Sequence, residues 1–385
     1  MLITNVKLGG RLSNIYVNSE GIIECINCNR RDGQVINAEG GALTLPFVNS
    51  HVHLSQALTL GYNRKNETGK LIDGLALLRD DVLPRVTIDD VKRRLEKIQL
   101  IMFMNGTLYV RDHEPILNGN ARRLITILHE TSLIKVQVVA CPSPSLSFSD
   151  NENEMERTLE AGADVVGAMP HGEDREGGLK SISKVFDIAQ KFNKPVDGHI
   201  DEIDDPESDF SFYMVSEAKR RSWGKMTTLS HMVSSQYQGA MFRNLLLRMK
   251  ETKVSVVINP ETNLHLQGRY TEREVPRGLA PLQLLLSQGI NVSLGSDNVS
   301  DVIFPLGDFN MLNVLERCKT SEWYCPLDTI TTNGFRTLNI DPPSVNEGMK
   351  AEFVILKEGS KTPLLVVNGK HYALNKMTSY IGTVD

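Results

Sequence analysis

No apolar run in the chain reaches the roughly 18 residues that a membrane helix needs. The opening residues, Met1-Leu2-Ile3-Thr4-Asn5-Val6-Lys7-Leu8, lack a basic start followed by an apolar core, so a signal peptide is not expected. Cysteine is scarce. Five in 385 residues, an odd number, make no disulfide framework and suit a reducing compartment. Cys25 and Cys28 form one C-x-x-C pair, but zinc would need two more ligands nearby, and none is close in sequence. Both are expected in ordinary strands. Strong charge is also missing. The net charge is −5 and no basic face stands out, so nucleic-acid binding has no electrostatic support. With a pI near 6.0, a cytoplasmic protein handling a small neutral molecule, with neither nucleic acid nor membrane as partner, is the expectation. Several reaction signatures are absent: G-x-G-x-x-G and the P-loop, the G-x-S-x-G elbow, the H-E-x-x-H zinc helix, and H-x-E followed by P-C-x-x-C. Cys141 precedes Pro142 without that last context.

What the chain does have is 41% hydrophobic content, ample for a large core. Residues 1–45 alternate and are punctuated by Gly9-Gly10, Asn18-Ser19-Glu20-Gly21 and Gly40-Gly41, which reads as several short strands. The stretch 345–385 reads the same way, with Asn368-Gly369 as a hairpin signal. A small β domain built from 1–45 plus 345–385 is expected, with 46–344 inserted between. That middle alternates strand and helix. Strand candidates are 43–49, 107–111, 135–140, 164–169, 195–199, 227–230, 254–258 and 291–295, and helical stretches include 89–98 and 181–190. Eight alternations fit a (β/α)₈ TIM barrel within an α/β fold.

The chemistry-bearing residues cluster at predicted strand ends. In Phe47-Val48-Asn49-Ser50-His51-Val52-His53-Leu54, the two histidines sit at i and i+2 and share one face of a strand. Taken alone, they fit two solvated imidazoles as well as a metal site. His199 ends the fifth strand, His231 the sixth and Asp297 the eighth, so all face one barrel mouth. Histidines with one carboxylate and open positions describe a catalytic metal centre. Glu202 lies three positions after His199, out of phase with it, and reaches the same pocket only if the chain curls inward. His113, His171 and His265 are expected to line the pocket, His129 and His371 to be structural or exposed, and Asp204 and Asp205 to lie on a solvated loop.

These motifs resemble the amidohydrolase superfamily, and within it the cytosine deaminase branch. The likeness spans nearly the whole chain. It is carried by Pro46–Leu54, by Ala163–His171, by Asn263-Leu264-His265-Leu266-Gln267-Gly268-Arg269, by Pro305-Leu306-Gly307, and above all by His199-Ile200-Asp201-Glu202-Ile203-Asp204-Asp205, which is similar to an H-x-D-E-x-D-D run. The resemblance implies one divalent metal ion, zinc or iron, held by His51, His53, His199 and Asp297. It implies that His231 sits beside an activated water, that Asp297 and His231 take up its proton, and that Glu202 shuttles the proton to the ring. The reaction so implied is hydrolytic deamination: the activated water attacks the amino-bearing ring carbon of a small heterocycle and ammonia leaves.

The branch's glutamine after the third strand is replaced here by Ser143, its H-x-H-L-D run becomes His53-Leu54-Ser55, and Asn298 and Ile303 stand where an aspartate and a tryptophan are usual. With Leu71, Ser143, Asn298 and Ile303 form the expected substrate shell. Serine exchanges fewer hydrogen bonds than glutamine, so the expected ring is cytosine-like in shape without being fixed as cytosine. The same site would support an amidohydrolase of a cyclic amide or an alkylamino-triazine. An inactive relative should have lost ligands first, and none is lost. The oligomeric state is not legible, and a homo-oligomer stays open.

Overall fold

Two sheets share out the strands. The structure, a computed structural model, describes residues 1–28, 30, 33–61, 65–269, 278–360 and 362–372. The first sheet begins with β1 (Leu2–Leu8), β2 (Arg11–Val17), β3 (Ile23–Ile26), β4 (Val35–Asn37) and β5 (Ala42–Thr44). The second holds β6 (Phe47–Val52), β7 (Thr107–Pro115), β8 (Lys135–Cys141), β9 (Val165–Ala168), β10 (Val196–Ile200), β11 (Thr227–His231), β12 (Ser255–Ile258) and β13 (Asn291–Leu294). The chain then returns to the first sheet with β14 (Glu352–Leu356), β15 (Leu364–Val367) and β16 (Lys370–Tyr372).

The second sheet is a (β/α)₈ barrel. Its strands run parallel in sequence order from β6 to β13. The last strand meets the first through a single bridge, Val52 to Asp297, with the Asp297 N–H on the His51 carbonyl at 2.9 Å. Below that bridge, the Asn49 side chain accepts from the Ser296 N–H and donates to its hydroxyl at 2.7 Å. The helices are α1 (Leu71–Leu77), α2 (Ile88–Met104), α3 (Asn120–Thr131), α4 (Asn151–Glu160), α5 (Arg175–Phe192), α6 (Phe210–Arg220), α7 (Ala240–Thr252), α8 (Pro260–Leu266), α9 (Leu282–Ser287), α10 (Met311–Glu322) and α11 (Thr332–Leu338). In α2, Val91, Leu95, Ile98 and Met102 recur at helical spacing and are buried. Thr87 caps its first turn by accepting from the Asp90 N–H.

The first sheet closes as a small β-sandwich over its own core, which includes Ile3, Val6, Ile15, Ile23, Phe353 and Ile355. At its far edge, Asn368 and Gly369 both take positive φ, 49° and 72°, as a two-residue hairpin of the primed type requires. Two local expectations are corrected. The first barrel strand does not run through 43–49. It is split at Pro46, which has no N–H to carry a ladder onward, so Ala42–Thr44 joins the small sheet and Phe47 starts the barrel. Cys25 and Cys28 are not two strand residues. Cys25 lies in β3, the chain turns at Asn27 with φ 62°, and Cys28 returns to form a disulfide with Cys25. Cys141, Cys318 and Cys325 are free and buried. No helix among the described residues is long and apolar enough to cross a membrane.

The barrel interior is not wholly apolar. Arg111 of β7 is fully buried and reaches across to Asp197 of β10 at 2.9 Å, to the Thr228 hydroxyl at 3.2 Å and to the Thr337 carbonyl at 2.9 Å. The Gln137 amide oxygen accepts two further bonds from the same guanidinium. Removing one partner of such a pair strands the other charge in a dry interior. We expect Arg111→Met to destabilise the fold by about 3–5 kcal/mol, read as a lowered midpoint in urea unfolding. An unchanged midpoint would show that Asp197 does not need the guanidinium.

Candidate active site

The barrel mouth gathers its side chains through strand ends and three left-handed residues. His51 is the penultimate residue of β6 and His53 lies one past its end. His199 sits in β10, and His231 ends β11 with φ 76°. Asp297 lies three residues beyond β13 with φ 58°. The curl that Glu202 requires is present. Asp201 takes φ 53°, and its buried carboxylate holds the turn by accepting from the Ser208 hydroxyl and from the Phe210 and Ser211 N–H groups at the start of α6. Glu202 is thereby brought round to the pocket.

The polar atoms converge at short range. His53 Nε2 lies 3.2 Å from Asp297 Oδ1 and 3.4 Å from His199 Nε2, and His51 Nε2 lies 3.7 Å from the same carboxylate oxygen. Bonds of about 2.1 Å at tetrahedral angles set neighbouring ligand atoms about 3.4 Å apart. His51, His53 and Asp297 form one trio able to hold a metal ion, and His51, His199 and His231 form another.

The tautomers favour such a use. The Ser230 hydroxyl donates to Asp197 at 2.8 Å, so its oxygen accepts from His51 Nδ1–H at 3.1 Å. His53 Nδ1–H donates to the His113 carbonyl at 2.7 Å. Each ring thus turns Nε2 to the centre, and the buried His51 Nε2 and Asp297 Oδ2 have no hydrogen-bond partner among the described residues.

Electrostatics follow from the crowding. Burial first, and then the neighbouring imidazoles, hold His51 and His199 well below the usual histidine range, so both rings are neutral. Burial also opposes charge on His53, but its hydrogen bond to Asp297 overcomes that and brings it up to about 9. Asp297, although buried, is kept below the ordinary carboxylate value by His53 and the other histidines. Its negative charge therefore demands a positive neighbour, whether imidazolium or cation.

Beside this group stands a second one. His231 Nδ1 lies 3.1 Å from Glu202 Oε1 and 3.9 Å from Asp297 Oδ2. The Asn263 amide joins the two, donating to Glu202 at 3.1 Å with its oxygen 3.1 Å from His231 Nδ1. Burial, and then the charge of Asp297, push the Glu202 carboxyl well above its usual value. Glu202 is thus disposed to carry a proton.

Two cavities open here. An inner one is bounded by His53, His199, Glu202 and Asp297 together with the apolar Leu75, Leu78 and Ile303. An outer one shares Ser143, His199 and Glu202 with it and is lined by His171 as well. The structure brings Leu71, Ser143, Asn298 and Ile303 all to the inner cavity. His113 lines it too, with its ring stacked on His51 at 3.7 Å between centroids. His265 lines neither cavity; its ring lies edge-on to Phe304. His129 is exposed and His371 half-buried. Missed in the sequence were the amides of Asn263 and Gln56, and the Arg111–Asp197–Ser230 chain behind His51. The partners of Asn263 and of that chain lie far off in sequence, and Gln56 sits in a turn without periodicity, so no local spacing announces them.

Residues 43–378 match the family model described as the amidohydrolase family. A 5-methylcytosine deaminase from Klebsiella pneumoniae, solved with 5-fluorocytosine, is similar in structure, with a TM-score of 0.89 and 29% identity over 96% of this chain and 97% of that one. An N-isopropylammelide isopropyl amidohydrolase from Pseudomonas sp. (strain ADP) is 22% identical over 96% of this chain and 91% of its own length. A pterin deaminase from Rhizobium rhizogenes is 23% identical over 88% of this chain and 76% of its own length. The chain belongs to the amidohydrolase family and is a hydrolase of carbon–nitrogen bonds other than peptide bonds.

Proposed function

We propose that the chain is a metal-dependent hydrolytic deaminase of a small amino-substituted heterocycle. The observation that carries this reading is the Glu202–His231–Asp297 group, at 3.1 and 3.9 Å, standing beside inward-turned His51, His53 and His199. The 5-methylcytosine deaminase and pterin deaminase among the relatives support it. One divalent ion, zinc or iron, would be held by His51, His53, His199 and Asp297, and when bound it would supply an activated water by lowering that water's pKa to about 7.

The chain's own residues do the rest. Asp297 and His231 take the proton that water gives up. Asn263 bonds to both the His231 ring and Glu202 and so holds them together. Protonated Glu202 donates to the ring nitrogen next to the amino-bearing carbon as water's oxygen adds to that carbon. The proton held by Asp297 and His231 then passes to the amine, the new hydroxyl gives its proton back to Glu202, the carbon–nitrogen bond breaks, and ammonia leaves. The apolar roof of Leu71, Leu75, Leu78 and Ile303 keeps bulk water off the ring.

A second reading is loss of an alkylamine from an N-alkylated ring. The same roof would suit an apolar substituent, and the N-isopropylammelide relative fits it.

Three outcomes are expected. His51→Ala should lose the bound metal, by elemental analysis of the purified chain, while its circular dichroism stays that of the wild type; retained metal would sink the ligand set. Glu202→Gln should keep its metal and lose about 10²- to 10⁴-fold in turnover, and near wild-type rates would assign the proton to another group. A screen of amino-heterocycles with metal-loaded protein should release ammonia, with weak activity on cytosine, better activity on a related ring, and selectivity that responds to substitution of Ser143. Alkylamine in place of ammonia would establish the second reading, and neither product from any ring would end both.

A further inference from the structure

The turn after β6 carries an amide with no internal use. Gln56 is 3% exposed and lines the inner cavity with His53, Glu202, Asp297 and Asn298. No hydrogen bond to its side-chain amide is found among the described residues, whereas the backbone around it is fastened at every step. Asp112 accepts from the Leu54 N–H at 2.8 Å. Buried Arg94 of α2, itself bonded to Asp90, donates to the Ser55 carbonyl at 2.9 Å and to the Ala57 carbonyl at 2.6 Å. The Thr59 hydroxyl takes the Gln56 carbonyl at 2.6 Å, and the Leu58 N–H reaches the Val299 carbonyl at 3.0 Å.

The Gln56 amide borders the inner cavity without being sealed from it, so a ligand entering there can reach it. A loop pinned this thoroughly around such an amide is preorganised for a ligand. The neighbouring candidates are already engaged. The Asn298 amide donates to Asp301 at 2.7 Å, and Asp301 in turn accepts from the Ile303 and Phe304 N–H groups. Ser143 offers a single hydroxyl.

We infer that Gln56 is the specificity-determining residue that reads the polar edge of the substrate ring, and that this edge is a cyclic amide, a ring N–H beside a ring C=O. A carboxamide presents one acceptor and one donor side by side, and that edge is its complement. The inference deepens the deaminase reading and rests on it for the position of the ring. Arg94 acts as a positioning residue, through the loop alone.

The test uses full-length, metal-loaded protein and two probes that differ only in this edge, 5-methylcytosine and 4-amino-5-methylpyrimidine. Ammonia release and calorimetric binding are measured for both. The wild type is expected to prefer 5-methylcytosine, and Gln56→Leu to lose that preference by about tenfold or more at unchanged metal content. Gln56→Glu keeps the shape and an acceptor but no donor, and should fall between. It carries the test alone if the leucine variant fails to fold. A structural role would depress both probes together and leave their ratio unmoved. A preference unchanged in both variants overturns the inference, as does a wild type that binds neither ring or binds them equally. A Gln56-dependent binding preference without ammonia would keep this inference and sink the deaminase reading. Ammonia release with a preference blind to Gln56 would do the reverse.

Discussion

The carboxylate of Asp297 sits in a dry pocket among imidazoles, and much of the barrel mouth is arranged around that fact. A buried carboxylate is costly unless a positive group meets it. Here His53 approaches to 3.2 Å and His51 to 3.7 Å, while His231 stands at 3.9 Å from the other oxygen. The same residue closes the barrel, since its N–H takes the His51 carbonyl and it forms the single bridge to β6. Joining the last strand to the first and bringing the carboxylate to the histidines are therefore one structural event. A shift of β13 against β6 would break the closure and the site together.

The histidines depend on a second buried charge, deeper in the barrel. Arg111 holds Asp197, Asp197 accepts a hydrogen bond from the Ser230 hydroxyl, and the Ser230 oxygen fixes the His51 tautomer. That chain of bonds determines which nitrogen of His51 faces inward. The burial that makes the ion pair expensive also keeps His51 and His199 neutral, the form in which imidazole binds metal. Structural and chemical requirements thus converge on the same desolvation.

How much of this was legible in the sequence depends on the range of the forces involved. The period-2 placement of His51 and His53, the strand candidates, and the convergence of His199, His231 and Asp297 at strand ends are local patterns, and the structure places those residues at one mouth. Pro46 was a local signal too, but its consequence is a strand that divides between two sheets, which depends on β14 lying beside β5. Glu202 was out of phase on paper. The contacts of the Asp201 carboxylate with residues seven to ten positions on, and of the Asp201 and Ile203 carbonyls with Ser234, turn it inward. Gln56 lies in a turn with no periodicity at all, held by an arginine 38 positions downstream.

The long excursion between β6 and α2 has a physical logic of its own. It supplies α1 and the wider turn Leu78–Val82 that follows, whose Leu78 and Val82 pack with Leu266, Val302 and Ile303 in an apolar cluster separate from the main core. That cluster forms the roof of the inner cavity through Leu78 and Ile303. An apolar roof excludes water, and charge interactions between Glu202, His231 and Asp297 strengthen as the local dielectric falls. The roof must therefore sit close above the strand end that bears His51 and His53. An insertion placed directly after that strand meets this need with the least chain. The loop that carries Gln56 and the segment that bears Leu71, Leu75 and Leu78 thus both follow the strand end that bears His51 and His53.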